Sequence, residues 1–449
     1  MVENKVIIAL ATAPMTAALA VIRVSGEGSI ELVDKMFTKD IVNAKGYSLN
    51  YGFIKNSRTG EHIDEVLLSV FRNPRSYTGE DMVEISCHGG MFIVNKIIQE
   101  AISLGAVLAQ KGEFTKRAYL NGKIDLIQAE SIHDMITATS EANVELSLNN
   151  IEGKASKTIE ELLEDVTDVR VGIEVNIDYP EYDDAEVMTH DILRTKMSVV
   201  RNKMINVINN GNVGKTIKDG VNVVLVGKPN VGKSSLLNLL INEEKAIVTD
   251  IAGTTRDVVE GKMNLDGIML NLYDTAGIRD TFDTVEQIGV IKSKEKIEKA
   301  DLVILMLDGS RAMDYEDHAL LDLTKDKKRI VVVNKSELKI YHEFPREALK
   351  ISVKNRDIST LIEAIKSMVG INLEEYKNTP MLTNARQLGL MEKALSHLDL
   401  AIRANEDNTP VDLIAIDLQD CYYSLLDVLG KRVQDGIIDS IFSKFCLGK

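Results

Sequence analysis

In the first 118 positions, the spacing of apolar and polar residues is typical of β-strands in some stretches and of an α-helix in another. Short apolar runs at 21–24, 66–71 and 83–87 predict β-strands, whereas the period of 92–104 predicts an α-helix. Glycines between these runs supply turns. We therefore expect a small α+β domain over residues 1–118.

From about residue 125 to 177 the apolar period becomes helical, and Leu126, Ala129 and Ile132 keep one face. A proline and four acidic residues break the pattern at 178–184. Helical sequence resumes at about 186–210 and returns from 381 to 445, where Pro410 is expected at the first position of a helix.

Between 220 and 371 the pattern of apolar residues is instead typical of an α/β domain. Four apolar runs alternate with helical stretches, as in a mostly parallel sheet: 221–226, 269–273, 302–307 and 330–333. Helical sequence on both sides suggests that this α/β domain (216–377) is inserted into a helical domain (119–215 and 378–449). The alternative is two separate helical modules.

A phosphate-binding loop follows the first of these strands. Residues 227–234 read GKPNVGKS, and a helix is predicted at 235–241. In such loops backbone N–H groups and the helix N-terminus face phosphate oxygens. Lys233 would reach the β- and γ-phosphates, and the hydroxyl of Ser234 would ligate Mg²⁺. The similar string ending at Thr216 has Asn209 at its first glycine position, so we interpret it as a helix end.

Further motifs follow in the order that a GTPase requires, at strand ends or in a loop. Thr255 would be a second Mg²⁺ ligand, and Asp274 would hold the metal through water. Asn334, Lys335 and Glu337 occupy the base-recognition position. The predicted GTP contacts are Asn230, Val231, Gly232, Lys233, Ser234, Ser235, Thr249, Asp250, Ile251, Ala252, Gly253, Thr254, Thr255, Asp274, Thr275, Ala276, Gly277, Asn334, Lys335, Glu337, Ser352, Val353 and Lys354.

Two positions depart from the usual GTPase pattern. Glu337 stands where an aspartate normally accepts the guanine N–H groups, so it is either a longer acceptor or only a helix-capping acid. Ile278 stands where Ras-like enzymes have a glutamine that orients water. Catalysis therefore needs another acid or another cation.

Composition narrows the class of protein. The chain has 449 residues, enough for two or three domains, and a net charge of −15 that disfavours broad nucleic-acid binding. The sequence pattern predicts neither a secretory signal peptide nor a transmembrane helix. The three cysteines have no CxxC spacing, which suits a reducing cytoplasm rather than a zinc site.

The phosphate loop with Asn230, the motifs at 253–257 and 274–277, and the terminal sequence CLGK at 446–449 together resemble the tRNA modification GTPase MnmE (TrmE) family over essentially the whole chain. The fold class implied is multidomain, α/β and α. It combines an N-terminal α+β folate-binding and dimerisation domain, a helical domain, and a Ras-like phosphate-loop G domain inserted into the helical domain.

The resemblance implies that K⁺ replaces the missing catalytic cation. Its ligands would be Asn230, Thr249, Ile251 and Thr254. Glu286 matches the family's water-orienting acid, with Arg279 nearby, although without the resemblance Glu286 would be interpreted as a solvated acid at a helix start.

The resemblance also implies a site for 5,10-methylene- or 5-formyl-tetrahydrofolate formed by Arg23, Glu80, Lys123 and Lys449. Taken alone, the first three residues would be surface charges. Cys446 would be a nucleophile or a structural contact.

The function implied is that of a homodimeric, K⁺-stimulated, cytoplasmic GTPase. In a heterotetramer with the flavoprotein MnmG (GidA) it would add a (carboxymethyl)aminomethyl group to C5 of the wobble uridine of certain tRNAs. The tRNA would be held mostly by that partner. The rival is a regulatory GTP switch in ribosome assembly or signalling, which gives no role to the folate residues.

Overall fold

The computed structural model describes residues 5–178, 189–243, 261–274, 296–340, 343–376, 378–433 and 435–449. The chain divides into two compact units. The first unit comprises Met1–Ile136, Ser147–Asn206 and Arg386–Lys449, and the second unit comprises Thr137–Leu146 and Val207–Ala385.

The first unit begins with a six-stranded sheet of order β3-β4-β5-β2-β1-β6. All its pairings are antiparallel except β1 with β6. The strands are β1 (Ile7–Leu10), β2 (Leu19–Ser25), β3 (Ser48–Lys55), β4 (His62–Phe71), β5 (Met82–His88) and β6 (Val107–Leu108). Helices α1 (Ser29–Lys35), α2 (Met91–Ser103) and α3 (Glu113–Leu120) accompany it. Val24, Ile85 and Ile97 belong to the buried core that joins α1 and α2 to the sheet.

Helices supply the remainder of the described first unit. They are α4 (Leu126–Thr137), α5 (Glu141–Ile151), α6 (Lys154–Asp178), α7 (His190–Asp219), α12 (Ala385–Glu406), α13 (Val411–Leu429) and α14 (Asp435–Phe442). Of these, α5 and α7 have residues in both units. The predicted face of α6 is buried at Ile159, Leu162 and Val166, where the helix packs along α13. Burying apolar side chains at this spacing is what stabilises such a helix.

The second unit contains a sheet of order β12-β11-β10-β7-β9-β8 in which only β8 is antiparallel. Its elements are β7 (Val221–Val226), α8 (Lys233–Glu243), β8 (Gly261–Leu265), β9 (Ile268–Asp274), β10 (Leu302–Asp308), α9 (Tyr315–Leu323), β11 (Arg329–Asn334), β12 (Leu349–Lys350), α10 (Ser359–Val369) and α11 (Leu373–Tyr376). Apolar residues of β7, β10 and β11 are buried on both faces, as is usual for parallel strands.

Most predicted elements agree with this fold, but some details differ. The helical stretch from 125 to 177 is three helices, and Gly153, with a left-handed φ of 83°, separates α5 from α6. The segment 214–216 is helical as expected, but α7 continues to Asp219. Pro410 is the N-cap of α13, one residue earlier than predicted.

Candidate functional site

The phosphate loop lies between β7 and α8, and close backbone packing shapes it. A Cβ atom on Gly227 would lie 2.5 Å from the carbonyl oxygen of Met306 on β10, so only glycine fits there. Asn230 and Gly232 have left-handed φ values of 63° and 105°. These constraints fix the course of the loop along the end of the sheet.

Lys233 is only 5% exposed. Its Nζ donates hydrogen bonds to the carbonyl oxygens of Gly227 and Lys228, at 2.7 and 2.9 Å. Burial lowers the pKa of Lys233, and the nearby Asp274 carboxylate opposes this shift. A buried ammonium group at a helix start is suited to meet phosphate oxygens.

The two predicted Mg²⁺ residues that the structure describes, Ser234 and Asp274, are neighbours. Ser234 Oγ donates to Asp274 Oδ2 at 2.8 Å, and Asp274 is 3% exposed. A hydroxyl and a carboxylate are oxygen ligands of the kind that Mg²⁺ takes. Across the described ranges, no group of three or more His, Cys, Asp or Glu residues could by itself hold a metal.

Asn334 joins the base-recognition loop to the phosphate loop. Its Nδ2 donates to the carbonyl oxygen of Val231 at 2.8 Å, and its Oδ1 accepts from the N–H of Val353 at 3.1 Å. Ser235, next to Ser234, lies on α8. The structure thus brings three separate sequence motifs together.

The two charged base-loop residues each have a partner. Lys335 Nζ lies 2.6 Å from Asp308 Oδ2. Glu337 Oε2 accepts from Ser352 Oγ at 2.5 Å, and this hydrogen bond is the main cause that lowers the pKa of Glu337, with a smaller contribution from exposed Lys354. A carboxylate kept ionised in this way can accept two N–H donors.

Several predicted residues lie outside the described ranges and stay predictions. They are Thr249, Asp250, Ile251, Ala252, Gly253, Thr254, Thr255, Thr275, Ala276, Gly277, Arg279 and Glu286. Ile278 is among the same unplaced positions.

In the first unit, Arg23 reaches both the sheet and the C-terminal tail. Its Nε and Nη2 donate to Glu84 Oε1 at 2.9 and 2.7 Å, and its Nη1 donates to the carbonyl oxygen of Gly448 at 3.1 Å. The guanidinium also lies 4.8 Å from the ring centroid of Tyr77. Such a distance permits a cation–π interaction.

Two more predicted folate residues, Lys449 and Lys123, contact the segment 76–80 that contains Tyr77. Lys449 Nζ lies 5.5 Å from the Tyr77 ring centroid, and Lys123 Nζ donates to the carbonyl oxygen of Ser76. Burial lowers the pKa of Lys449, and the Arg23 charge lowers it further. Three cations therefore converge on one short segment.

Glu80 has its own polar partners. Its carboxylate accepts from Ser25 Oγ at 2.8 Å and from Arg117 Nη1 at 3.1 and 3.3 Å. Arg117 is 4% exposed. The positive charge of this buried guanidinium balances the Glu80 carboxylate.

The terminal CLGK sequence is seated by its backbone. Cys446 is exposed, and its carbonyl oxygen accepts from the N–H of Gly112 at 3.3 Å. Gly448 has φ 86°, and a Cβ there would clash with the backbone of Leu10 and Ala11. The tail therefore lies against the first unit's sheet at a position that only glycine permits.

Two family models match the chain. "MnmE helical domain" matches residues 126–446, and "GTP-binding protein TrmE N-terminus" matches residues 6–123. The "tRNA modification GTPase MnmE" of Ligilactobacillus salivarius is 42% identical over 100% of this chain and 98% of its own length. The protein of the same name from Bacillus mycoides is 43% identical over 100% of both chains.

The chain belongs to the MnmE (TrmE) family of tRNA modification GTPases. The predicted family and the predicted enzyme class, a GTPase, are confirmed. Of the predicted fold, an N-terminal domain and a helical domain are confirmed. Within the described residues, no helix is both long enough and apolar enough to cross a membrane.

Two of the solved structures that resemble the chain cover 39% and 34% of it. A crystal structure of Era from Aquifex aeolicus is 26% identical over 39% of this chain and 66% of its own, with a TM-score of 0.26. The FeoB G-domain from Methanococcus jannaschii is 21% identical over 34% of this chain and 98% of its own, with a TM-score of 0.25. These scores are too low to bear on the fold.

Sequence reasoning missed the partners that hold the predicted residues. Tyr77, Glu84 and Arg117 surround the N-terminal cations, and Asp308 holds Lys335. Asp308 alone had a local signal, because it ends a buried strand as Asp274 does. The other three are ordinary charged or aromatic residues of an α+β domain until the chain is folded.

Proposed function

We propose that this GTPase is K⁺-stimulated and acts with the flavoprotein MnmG to add a (carboxymethyl)aminomethyl group to C5 of the wobble uridine of certain tRNAs. The observation that carries the proposal is the convergence of Arg23, Lys123 and Lys449 on segment 76–80, beside Glu80. A regulatory GTP switch has no use for such a cluster.

The cluster suits a one-carbon tetrahydrofolate, which carries glutamate carboxylates and a pterin with N–H donors. Arg23 and Lys449 supply charge-assisted donors for carboxylates, and Glu80 supplies an acceptor. The folate, when bound, would supply the carbon that is added to the uridine. Cys446 stands three residues before Lys449 and is proposed as a reactive or contacting thiol.

On the nucleotide side, Lys233 would bind phosphate oxygens, and Ser234 with Asp274 would hold Mg²⁺. Mg²⁺ there would neutralise charge on the β- and γ-phosphates. Asn230, with its left-handed φ, would be the K⁺ ligand among the described residues. We propose Thr255 as the second Mg²⁺ ligand.

The other residues proposed for the K⁺ site and for water orientation lie outside the described ranges. Thr249, Ile251 and Thr254 would complete the K⁺ site, and Glu286 with Arg279 would orient the attacking water. K⁺ at this point would supply the positive charge that an arginine provides in other GTPases.

The assembly we propose is a cytoplasmic homodimer within a heterotetramer with MnmG, which would carry most tRNA contacts because this chain has a net charge of −15. We further propose that the G domain, 216–377, is inserted between helical segments 119–215 and 378–449. The match of one helical-domain model to residues on both sides of the phosphate loop supports this.

Two experiments test the proposal. Deletion of the gene should leave the wobble uridines of the affected tRNAs unmodified, and normal wobble uridines would contradict the proposal. Folate titration should show binding by the full chain and loss of binding by a chain lacking residues 446–449. Equal affinity of the two chains would remove the tail from the site.

A further inference from the structure

One position of the phosphate-loop motif that tolerates any residue has a defined place in this structure. Lys228 is the first residue after Gly227, and its side chain points away from the loop to the start of α9. Its Nζ lies 2.6 Å from Asp314 Oδ2 and 2.7 Å from Glu316 Oε2. The Lys228 side chain is only 20% exposed.

The acidic partners of Lys228 lie at a helix start that is itself held in place by hydrogen bonds. Asp314 is the N-cap of α9 and accepts from the N–H groups of Glu316 and Asp317, and the Asp317 carboxylate accepts from the N–H of Asp314. Arg311 donates to both oxygens of Asp317, at 2.8 and 3.2 Å, and Asp317 is 1% exposed. A capping box with a buried, bidentate anchor holds its side chains in one arrangement.

The loop end of the pair touches the residue that would bind phosphate. Lys233 Nζ donates to the carbonyl oxygen of Lys228 at 2.9 Å. The ion pairs of the Lys228 side chain with Asp314 and Glu316 therefore restrain the Lys228 backbone. The carbonyl oxygen of that backbone is hydrogen-bonded to Lys233, the residue that would bind phosphate. Fixing a loop before the ligand arrives reduces the entropy lost on binding.

We propose that Lys228 is a positioning residue that braces the phosphate loop against the α9 cap, with Asp314 and Glu316 as its anchors. The brace acts on the loop backbone rather than by a contact of its ammonium group with the nucleotide. This inference rests on the proposed nucleotide site at Lys233.

The test measures GTP and GDP affinity of the full-length protein and of variants on both sides of the pair. Lys228→Met should raise both dissociation constants about threefold to fivefold, with kcat at saturating GTP unchanged. Asp314→Asn combined with Glu316→Gln should raise them by a similar factor. The Asp314→Asn substitution also weakens a 3.3 Å ion pair with Arg311, but asparagine caps a helix as well as aspartate does and Arg311 keeps both hydrogen bonds to Asp317, so α9 stays intact.

The combination of all three substitutions should be no worse than either set alone, because each removes the same brace. The charge exchange Lys228→Glu with Glu316→Lys should recover part of the nucleotide affinity that Lys228→Glu alone loses. High salt should weaken binding by the wild type more than by Lys228→Met. Lys366→Met, which removes a surface ion pair with Asp266 of 2.8 Å in the same unit, is the matched control and should leave affinity unchanged.

The decisive variant is the one that frees Lys228. If Lys228 acted by its own charge on the phosphates, Asp314→Asn with Glu316→Gln would leave the affinity unchanged or increase it, and that result would overturn the brace. Loss of thermal stability with unchanged affinity would also overturn it. Absence of GTP binding by the wild type would instead contradict the nucleotide site itself.

Discussion

The two candidate sites are built in opposite ways. The candidate nucleotide site of the second unit uses short consecutive motifs at the ends of parallel strands of one sheet, such as 227–234 after β7 and 334–337 at the end of β11. The N-terminal site gathers single residues from positions 23 to 449, and its members meet at segment 76–80, β2 and the tail. Parallel strands present their carboxyl ends at one edge, so local motifs suffice in the first case and not in the second.

The largest expected effect tests whether the two sites bind independently. Lys233→Met should weaken GTP binding at least about 100-fold, because a buried charged donor to phosphate is lost. Folate affinity should be unchanged. Isothermal titration with each ligand measures both, and a parallel loss of folate binding would show that the substitution damages the first unit.

A second prediction separates chemistry from binding within the nucleotide site. Glu286→Ala should slow GTP hydrolysis about 100-fold or more while GTP affinity stays the same, because only the orientation of water is lost. Replacing K⁺ with Na⁺ should slow the wild type strongly. Equal turnover in the two salts would refute the potassium site.

A third prediction concerns the scattered site. Arg23→Met should weaken folate binding about 10- to 100-fold, since one guanidinium serves the ligand and the tail. Tyr77→Leu should weaken it less, by removing the ring near Arg23 and Lys449, whereas Tyr77→Phe keeps the ring and should bind nearly as the wild type does. Equal effects of the two Tyr77 variants would assign the role to the hydroxyl instead.

A fourth prediction addresses Glu337, the acid in an aspartate position. Ser352→Ala should lower the preference for GTP over ITP about fivefold to tenfold, because the longer side chain loses the hydroxyl that holds its carboxylate. In a Glu337→Ala background the same substitution should add nothing. Equal displacement of bound GTP by ATP and by GTP in the wild type would sink the guanine assignment.

The smallest expected effect is a pH dependence at Lys449. Its lowered pKa means that the ammonium group loses its proton at a lower pH than an exposed lysine does. Folate affinity should therefore fall about threefold as the pH rises through that lowered pKa, because an anion-binding charge is lost. Lys449→Arg stays charged and should show a flat profile over the same range.

Much of the second unit could be predicted from sequence. The apolar run predicted for β7 has the observed bounds, and the observed β10 and β11 extend the predicted runs by one or two residues.

Strand β3 of the first unit was not predicted, because Tyr51 and Leu49 place apolar side chains on its exposed face and Gly52 interrupts the pattern. Gly52 is required because a Cβ there would meet the ring of Phe37, a contact that no local pattern contains.

The sequence by itself determined the phosphate loop, the order of the GTPase motifs and the family, because consecutive residues carry each of these features. Only the tertiary structure decided that Arg23 pairs with Glu84, that Arg117 balances Glu80, and that Lys228 reaches α9. Charge pairs of this kind depend on distances between chain segments that are far apart in sequence. Those distances are fixed by sheet order and burial, which no single stretch of residues encodes.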